Sequence, residues 1–146
     1  MGRDDFQIVN PLEHIREHPE IYLEDGANVT GSSLMCRLLA DVLVNNNCQV
    51  VIQRLESWWI IGSDVDWAGT AQNQVFYTIV PFPQAGQNCF HAEVLLTVFA
   101  RDVVVFSGNS HTVIVGATSV SEEILNFRRN LPFLNRMIGF RMKNEE

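Results

Sequence analysis

The chain has 146 residues and a formal net charge of −7, and 47% of its residues are hydrophobic while 18% are charged. This length and composition are typical of one globular domain and exclude an intrinsically disordered chain. The acidic balance argues against direct nucleic-acid binding. Residues 1–6 lack the pattern of a signal peptide, and no apolar run reaches membrane-spanning length. We therefore expect a cytoplasmic protein without membrane contact, whose cysteines stay reduced.

The first third of the chain predicts helices. Residues 1–10 form a polar arm, and residues 11–17 predict a short helix with a proline in its first turn. Residues 24–26, Glu-Asp-Gly, predict a turn. Residues 32–47 predict the central helix: serines suit its N-cap, apolar residues recur at helical spacing, and three asparagines favour its end.

The rest of the chain predicts mainly strands. Apolar, β-branched segments predict strands at residues 49–55, 58–62, 75–80, 92–99, 103–107, 111–115 and 138–142. A helix is the alternative for residues 90–100, because short apolar runs are ambiguous. Serines, then acids, then arginines predict a helix over residues 119–130. We expect one α+β domain over residues 1–146, with helices on one face of a mostly antiparallel mixed sheet.

Two polar residues on the predicted central helix are candidates for chemistry. Asp41 and Asn45 are four residues apart and share one side of the helix, with Arg37 one turn earlier. A carboxylate and an amide one turn apart can hold a water molecule and a metal ion. The competing interpretation is a surface ion pair between Arg37 and Asp41 at the solvated edge of a core helix.

His14 and His18 form an HxxEH pattern, which is typical of inverted zinc peptidases. The spacing would place both imidazoles on one helical face. Pro19 ends the helix immediately, and the sequence offers no evident third ligand, so we expect no zinc site there.

Both ends of the chain resemble one ATPase family. Residues 12–23 resemble the LExxRxRPxMYI opening of the ATPase domain of the gyrase-B type, which DNA gyrase and other type IIA topoisomerases share. Residues 122–142 resemble that domain's YEILAxRLRELxFLNxGVxIxL segment, and residues 131–135, LPFLN, are the most specific part of the match. The resemblance implies the Bergerat (GHKL ATPase) fold, a two-layer α/β sandwich that holds ATP between its helices and its sheet.

The same resemblance implies roles for four residues. Asp41 stands where the family has the glutamate that activates the attacking water, and Asn45 where an asparagine helps to bind Mg²⁺. Asp64 stands where an aspartate bonds the adenine amino group, and Thr112 resembles the threonine of the adenine-binding network. Because aspartate is one methylene shorter than glutamate, a general base at Asp41 is displaced from its substrate water.

The chain also departs from the family. Both glycines of the DxGxG motif are replaced within residues 64–68, and residues 66–92 are too few for the family's lid and glycine-rich phosphate loop. Phosphoryl transfer depends on the positioning that these parts supply. We therefore expect a degenerate domain without ATP hydrolysis or a cofactor, a regulatory module that binds a protein partner or itself. The alternative is a minimal domain that binds a small-molecule ligand, ATP with Mg²⁺, through Asp41, Asn45, Asp64 and Thr112, with weak or no turnover.

Overall fold

The computed structural model describes residues 10–23, 28–45, 47–116 and 120–143. Most of the predicted polar arm and the predicted turn at residues 24–26 lie outside this part of the chain. The α-helices within it are α1 (Pro11–Glu17), α2 (Pro19–Tyr22), α3 (Gly31–Val42), α4 (Glu93–Phe99) and α5 (Glu122–Arg129). The strands are β1 (Val50–Leu55), β2 (Trp58–Ser63), β3 (Ala100–Ser107), β4 (Ser110–Val115) and β5 (Arg136–Met142).

The five strands form one antiparallel sheet in the order β1-β2-β5-β3-β4. The last strand of the chain is central, because β5 pairs with β2 through Ile138 and Ile61 and with β3 through Ile138 and Val105. The two hairpins β1–β2 and β3–β4 flank it. The strands predicted at residues 49–55, 58–62, 103–107, 111–115 and 138–142 are confirmed.

Alternate side chains of the sheet face two separate clusters of apolar residues. On one face, Ile61, Val105 and Ile138 pack with residues from α1, α3 and α4. On the other face, Val104 packs with Ile124 of α5. Side chains along a strand alternate between the faces of a sheet, so each strand contributes to both clusters. The predicted α+β class, with helices layered on an antiparallel sheet, is confirmed, and α5 additionally covers the second face.

The central helix α3 begins with a capping box and ends earlier than predicted. The Thr30 backbone amide donates to Ser33 Oγ over 3.0 Å, and the Ser33 amide donates to Thr30 Oγ1 over 3.1 Å. The helix ends at Val42, and Asn45 lies beyond it, where its Nδ2 donates to the Val42 carbonyl over 3.4 Å. Asparagine side chains compete with the helical hydrogen-bond ladder in this way, so the prediction of a helix to residue 47 was wrong.

The prediction of a strand at residues 75–80 is wrong. A 3₁₀-helical segment, Gly69–Phe76, kinked at Gln72, occupies its beginning, and the chain continues without regular structure to an isolated bridge between Pro81 and Phe90. Val75 and Phe76 are both fully buried although they are consecutive. Both side chains belong to the cluster that also contains Ile61 and Ile138, whereas consecutive residues of a strand would face opposite sides of the sheet.

The strand predicted at residues 92–99 is also wrong, since residues 93–99 form α4. Val94, Leu95, Leu96 and Val98 are all buried in the core between the sheet and the other helices. Because this short helix is buried on nearly every side, its sequence lacks the recurring apolar and polar positions of an amphipathic helix. Its β-branched residues therefore favoured the prediction of a strand. Among the described residues, no helix has the length and apolar character needed to cross a bilayer.

Candidate functional site

A cluster of buried polar side chains lies where the end of α3 and the start of α4 approach β5. Asp41 and His91 are each 6% exposed, Glu93 is 0% exposed and Arg136 is 1% exposed. Ionisable groups are rarely buried to this extent unless they are paired, and buried groups with perturbed pKa values are typical of functional sites. This cluster is therefore the strongest candidate site in the described part of the chain.

Asp41 is held by the main chain that leads into α4. Its Oδ2 accepts a hydrogen bond from the Ala92 backbone amide over 2.8 Å. Burial raises the pKa of Asp41 to about 7; the hydrogen bond from Ala92 lowers it, the Glu93 carboxylate raises it and the Arg37 guanidinium lowers it. Near neutral pH the Asp41 carboxyl group therefore exists in both protonation states.

Glu93 and Arg136 form a buried ion pair between α4 and the first residue of β5. Arg136 Nη2 donates to Glu93 Oε2 over 2.9 Å, and Arg136 Nη1 lies 3.8 Å from Asp66 Oδ1. The guanidinium carbon lies 5.0 Å from the ring centroid of Trp67 and 5.7 Å from that of Phe76. Arg136 thus lies between carboxylates and aromatic rings in a site that excludes solvent.

His91 immediately precedes the Ala92 amide that contacts Asp41. Its ring stacks on Phe82, with centroids 4.1 Å apart and an interplanar angle of 6°. Burial lowers the pKa of His91, Glu93 raises it and Arg136 lowers it. The net shift is downward, so the imidazole is neutral at neutral pH and can offer a nitrogen lone pair.

Three of these side chains converge. Asp41, His91 and Glu93 each offer a potential ligand atom, and these atoms all lie within 4.8 Å of one another. Two buried atoms of the group, His91 Nδ1 and Glu93 Oε1, have no hydrogen-bond partner among the described residues. One imidazole nitrogen and two carboxylate oxygens are a donor set that suits divalent metal ions.

The structure places the residues of the predicted Asp41–Asn45 pair in different surroundings. Asp41 is buried in α3, whereas Asn45 is exposed in the turn after the helix. Arg37 Nη1 donates to the Tyr22 carbonyl over 2.8 Å. Because Asp41 is buried and bonded to Ala92, the alternative interpretation of a surface Arg37–Asp41 ion pair is wrong.

The other two predicted residues are far apart on the sheet. Asp64 Oδ1 accepts hydrogen bonds from the Gln49 amide over 2.8 Å and from Ser63 Oγ over 3.3 Å, which ties the open ends of β1 and β2 together. Thr112 is exposed on the edge strand β4. Two strands lie between β2 and β4, a separation of about 14 Å at ordinary strand spacing, so the structure does not bring Asp64 and Thr112 together.

Sequence reasoning missed three residues of the cluster. A single histidine at the start of an apolar run favours a structural role for His91, and no local pattern relates Glu93 to Arg136, because 43 positions separate them. One available signal was Glu93 itself, a carboxylate at the start of an otherwise apolar run, since a charge in such a run requires a buried partner.

No protein-family model matches this chain, and neither a curated protein nor a solved structure matches it.

Proposed function

We propose that the chain is a gyrase-B-like domain of the Bergerat type that does not hydrolyse ATP and acts as a regulatory module by binding a protein partner. The observation that supports this most directly is the hydrogen bond from the Ala92 amide to Asp41 Oδ2, at 2.8 Å. A general base must reach the proton that it removes. Asp41 is buried and oriented by the main chain of residue 92, which leaves it poorly placed to activate a solvent water.

The positions of the remaining family-like residues support the same proposal. Asp64 uses one carboxylate oxygen to join β1 and β2, and Thr112 lies on the opposite side of β5. Trp67, which lies between the positions of the two family glycines, is buried in the core. Binding of adenine through Asp64 and Thr112 would require these groups to converge, and the sheet order keeps them apart.

A surface groove supports the binding role. Its volume is about 460 Å³, and apolar side chains line much of it, including Ile79, Pro81, Pro83 and Phe90. Tyr77, in the same connection between the 3₁₀-helix and α4, is half exposed. Exposed apolar surface of this kind is typical of sites that contact other proteins.

The test of catalysis uses purified chain with ATP and Mg²⁺. We expect no phosphate release from the wild type, and none from Asp41→Glu, which restores the family's residue at the position of the general base. We also expect no rise in melting temperature at millimolar ATP, because a ligand that binds the native state alone must raise it.

The matched control for nucleotide binding is Asp64→Asn. A saturable rise in melting temperature that Asp64→Asn abolishes would establish the alternative, a minimal domain that binds ATP and Mg²⁺. Turnover by Asp41→Glu would overturn the proposal, because it would require an intact phosphate site. Sedimentation at high protein concentration tests whether a second copy of the chain is the partner; a monomer would exclude self-association.

A further inference from the structure

We propose that Asp41, His91 and Glu93 bind one divalent transition-metal ion of the Zn²⁺ class and that this ion joins the end of α3 to the start of α4. The proposal is independent of any nucleotide chemistry. The three potential ligand atoms already lie within 4.8 Å of one another, and this geometry is the main support for a bound ion.

The distances require only a small adjustment. Zinc binds imidazole nitrogen and carboxylate oxygen at about 2.0–2.2 Å, so two ligands of one tetrahedral ion lie about 3.4 Å apart. Rotation of the three side chains about their χ angles is sufficient to shorten the observed spacing between the ligand atoms to this distance. The backbone of the three residues can therefore stay in place while the ion binds.

The hydrogen bonds around the three side chains leave ligand atoms available. The Ala92 amide uses only Oδ2 of Asp41, and Arg136 uses only Oε2 of Glu93. Glu93 Oε1 and His91 Nδ1 are buried without a hydrogen-bond partner in the described part of the chain. Metal-binding carboxylates are typically oriented in this way by outer hydrogen bonds, while a buried polar atom without any partner is unfavourable.

The charges of the cluster favour a cation. Asp41, Glu93 and Asp66 contribute three carboxylates to the cluster, and the guanidinium of Arg136 contacts Glu93 at 2.9 Å and Asp66 at 3.8 Å. With all three ionised, these four side chains carry two excess negative charges. A divalent ion would balance them, whereas the empty cluster must protonate a carboxyl group or bury uncompensated charge.

The donor set selects the class of metal. One neutral imidazole and two carboxylates suit Zn²⁺, Mn²⁺ or Fe²⁺, whereas Mg²⁺ retains several waters that a site this deeply buried has little room to accommodate. The three side chains are at most 6% exposed, which is typical of a structural site and not of an open catalytic one. A fourth ligand to complete the tetrahedron would be a water molecule.

The experiment uses the full chain, stripped with chelator and titrated calorimetrically with ZnCl₂ alone. We expect one ion per chain and a rise in melting temperature. Two shape-conserving variants remove ligands: Asp41→Asn keeps an acceptor for the Ala92 amide, and His91→Phe keeps the stacking on Phe82. Each should weaken binding by more than the 10- to 100-fold that loss of an outer-shell partner typically costs.

Matched controls separate this site from adventitious binding. His18→Ala breaks up the His14–His18 pair on the surface, whose ring centroids are 4.9 Å apart, and His111→Ala removes an exposed histidine; both should bind Zn²⁺ as the wild type does. Cobalt substitution of the wild type should give a visible band without thiolate charge transfer. Because the cobalt spectrum is recorded on wild-type protein, it distinguishes this site from a cysteine site even if a ligand variant fails to fold.

Four results would overturn the proposal. The first is wild-type protein that shows neither Zn²⁺ binding nor a change in melting temperature. The second is unchanged affinity in folded His91→Phe, and the third is a thiolate band, which would assign the ion to Cys36, Cys48 or Cys89. Loss of binding in His18→Ala alone would assign it to the surface pair and would equally contradict a buried site.

Discussion

Arg136 donates from Nη2 to Glu93 Oε2 over 2.9 Å, and the two side chains are 1% and 0% exposed. This contact joins the first residue of the central strand β5 to the first residue of α4. Removal of one partner from a buried pair leaves the other charge uncompensated, a much larger effect than the loss of an exposed pair.

We expect Glu93→Leu to lower the free energy of unfolding by about 3–5 kcal/mol, as measured by urea denaturation. The double variant Glu93→Leu, Arg136→Met should recover much of that loss, because it removes both charges and keeps apolar volume. Glu122→Ala, which breaks the exposed pair with Arg129, is the matched control and should leave stability unchanged. A loss below about 1 kcal/mol in the single variant would contradict the buried pair.

The raised pKa of Asp41 predicts a particular pH dependence of stability. Its pKa is about 7 in the folded chain against 3.8 ordinarily, so between about pH 4 and pH 7 the unfolded chain loses this proton while the folded chain retains it. The contribution of Asp41 to stability is therefore present below pH 4 and is lost as pH rises through 7, by about 4 kcal/mol in total.

Asp41→Asn isolates this effect, because the amide oxygen can still accept the hydrogen bond from Ala92. In chelator, the stability difference between Asp41→Asn and wild type should change in favour of the variant from pH 4 to pH 7. The difference is the proper readout, since His91 acts oppositely: its pKa is lowered on folding, so its contribution is present above about pH 6.5 and is lost as pH falls from that value toward the lower pKa of the folded chain. A difference that is constant with pH would refute the raised pKa of Asp41.

Gly31 permits a close approach between α3 and the sheet. A Cβ atom at this position would overlap the indole of Trp59. Gly31→Ala should lower the free energy of unfolding by about 1–3 kcal/mol through overpacking. Gly139→Ala is the control, because its nearest neighbour, Val104 Cγ1, would be at 3.4 Å, an ordinary contact. Equal effects of the two substitutions on the denaturation midpoint would contradict this close packing.

Gly116 combines a positive φ of 97° with a crowded environment, since an added Cβ would collide with the Asp102 carboxylate. Gly69 has a φ of 60°, but an added Cβ would have nothing within 4 Å. Gly69→Ala should therefore show only the left-handed backbone cost of about 1–2 kcal/mol. Gly116→Ala should cost more in thermal denaturation, because it also displaces Asp102 from Arg141. A smaller loss in Gly116→Ala would contradict the collision.

The sequence was sufficient for the elements whose pattern is local. The helix at Gly31–Val42 has apolar residues at helical spacing, although its N-cap is Thr30 and not one of the predicted serines. The β1–β2 hairpin has strand-forming residues on either side of a short turn, whereas the sequence predicts a hairpin between residues 92–99 and 103–107, and β3 pairs with β4 instead. The sequence also identified Asp41 as a polar position on the central helix. These features depend on residues within about four positions of one another, so a linear pattern carries them.

Only the tertiary structure decided the state of residues 93–99 and the composition of the buried cluster. The run at residues 93–99 is apolar apart from Glu93 and Thr97, and most of its side chains are buried, so the sequence shows no amphipathic period that would predict a helix. Asp41 contacts Ala92 across 51 positions, and Arg136 contacts Glu93 across 43. Burial and charge compensation between such distant residues arise only when the chain is folded, because both depend on the shared low-dielectric interior and not on sequence spacing.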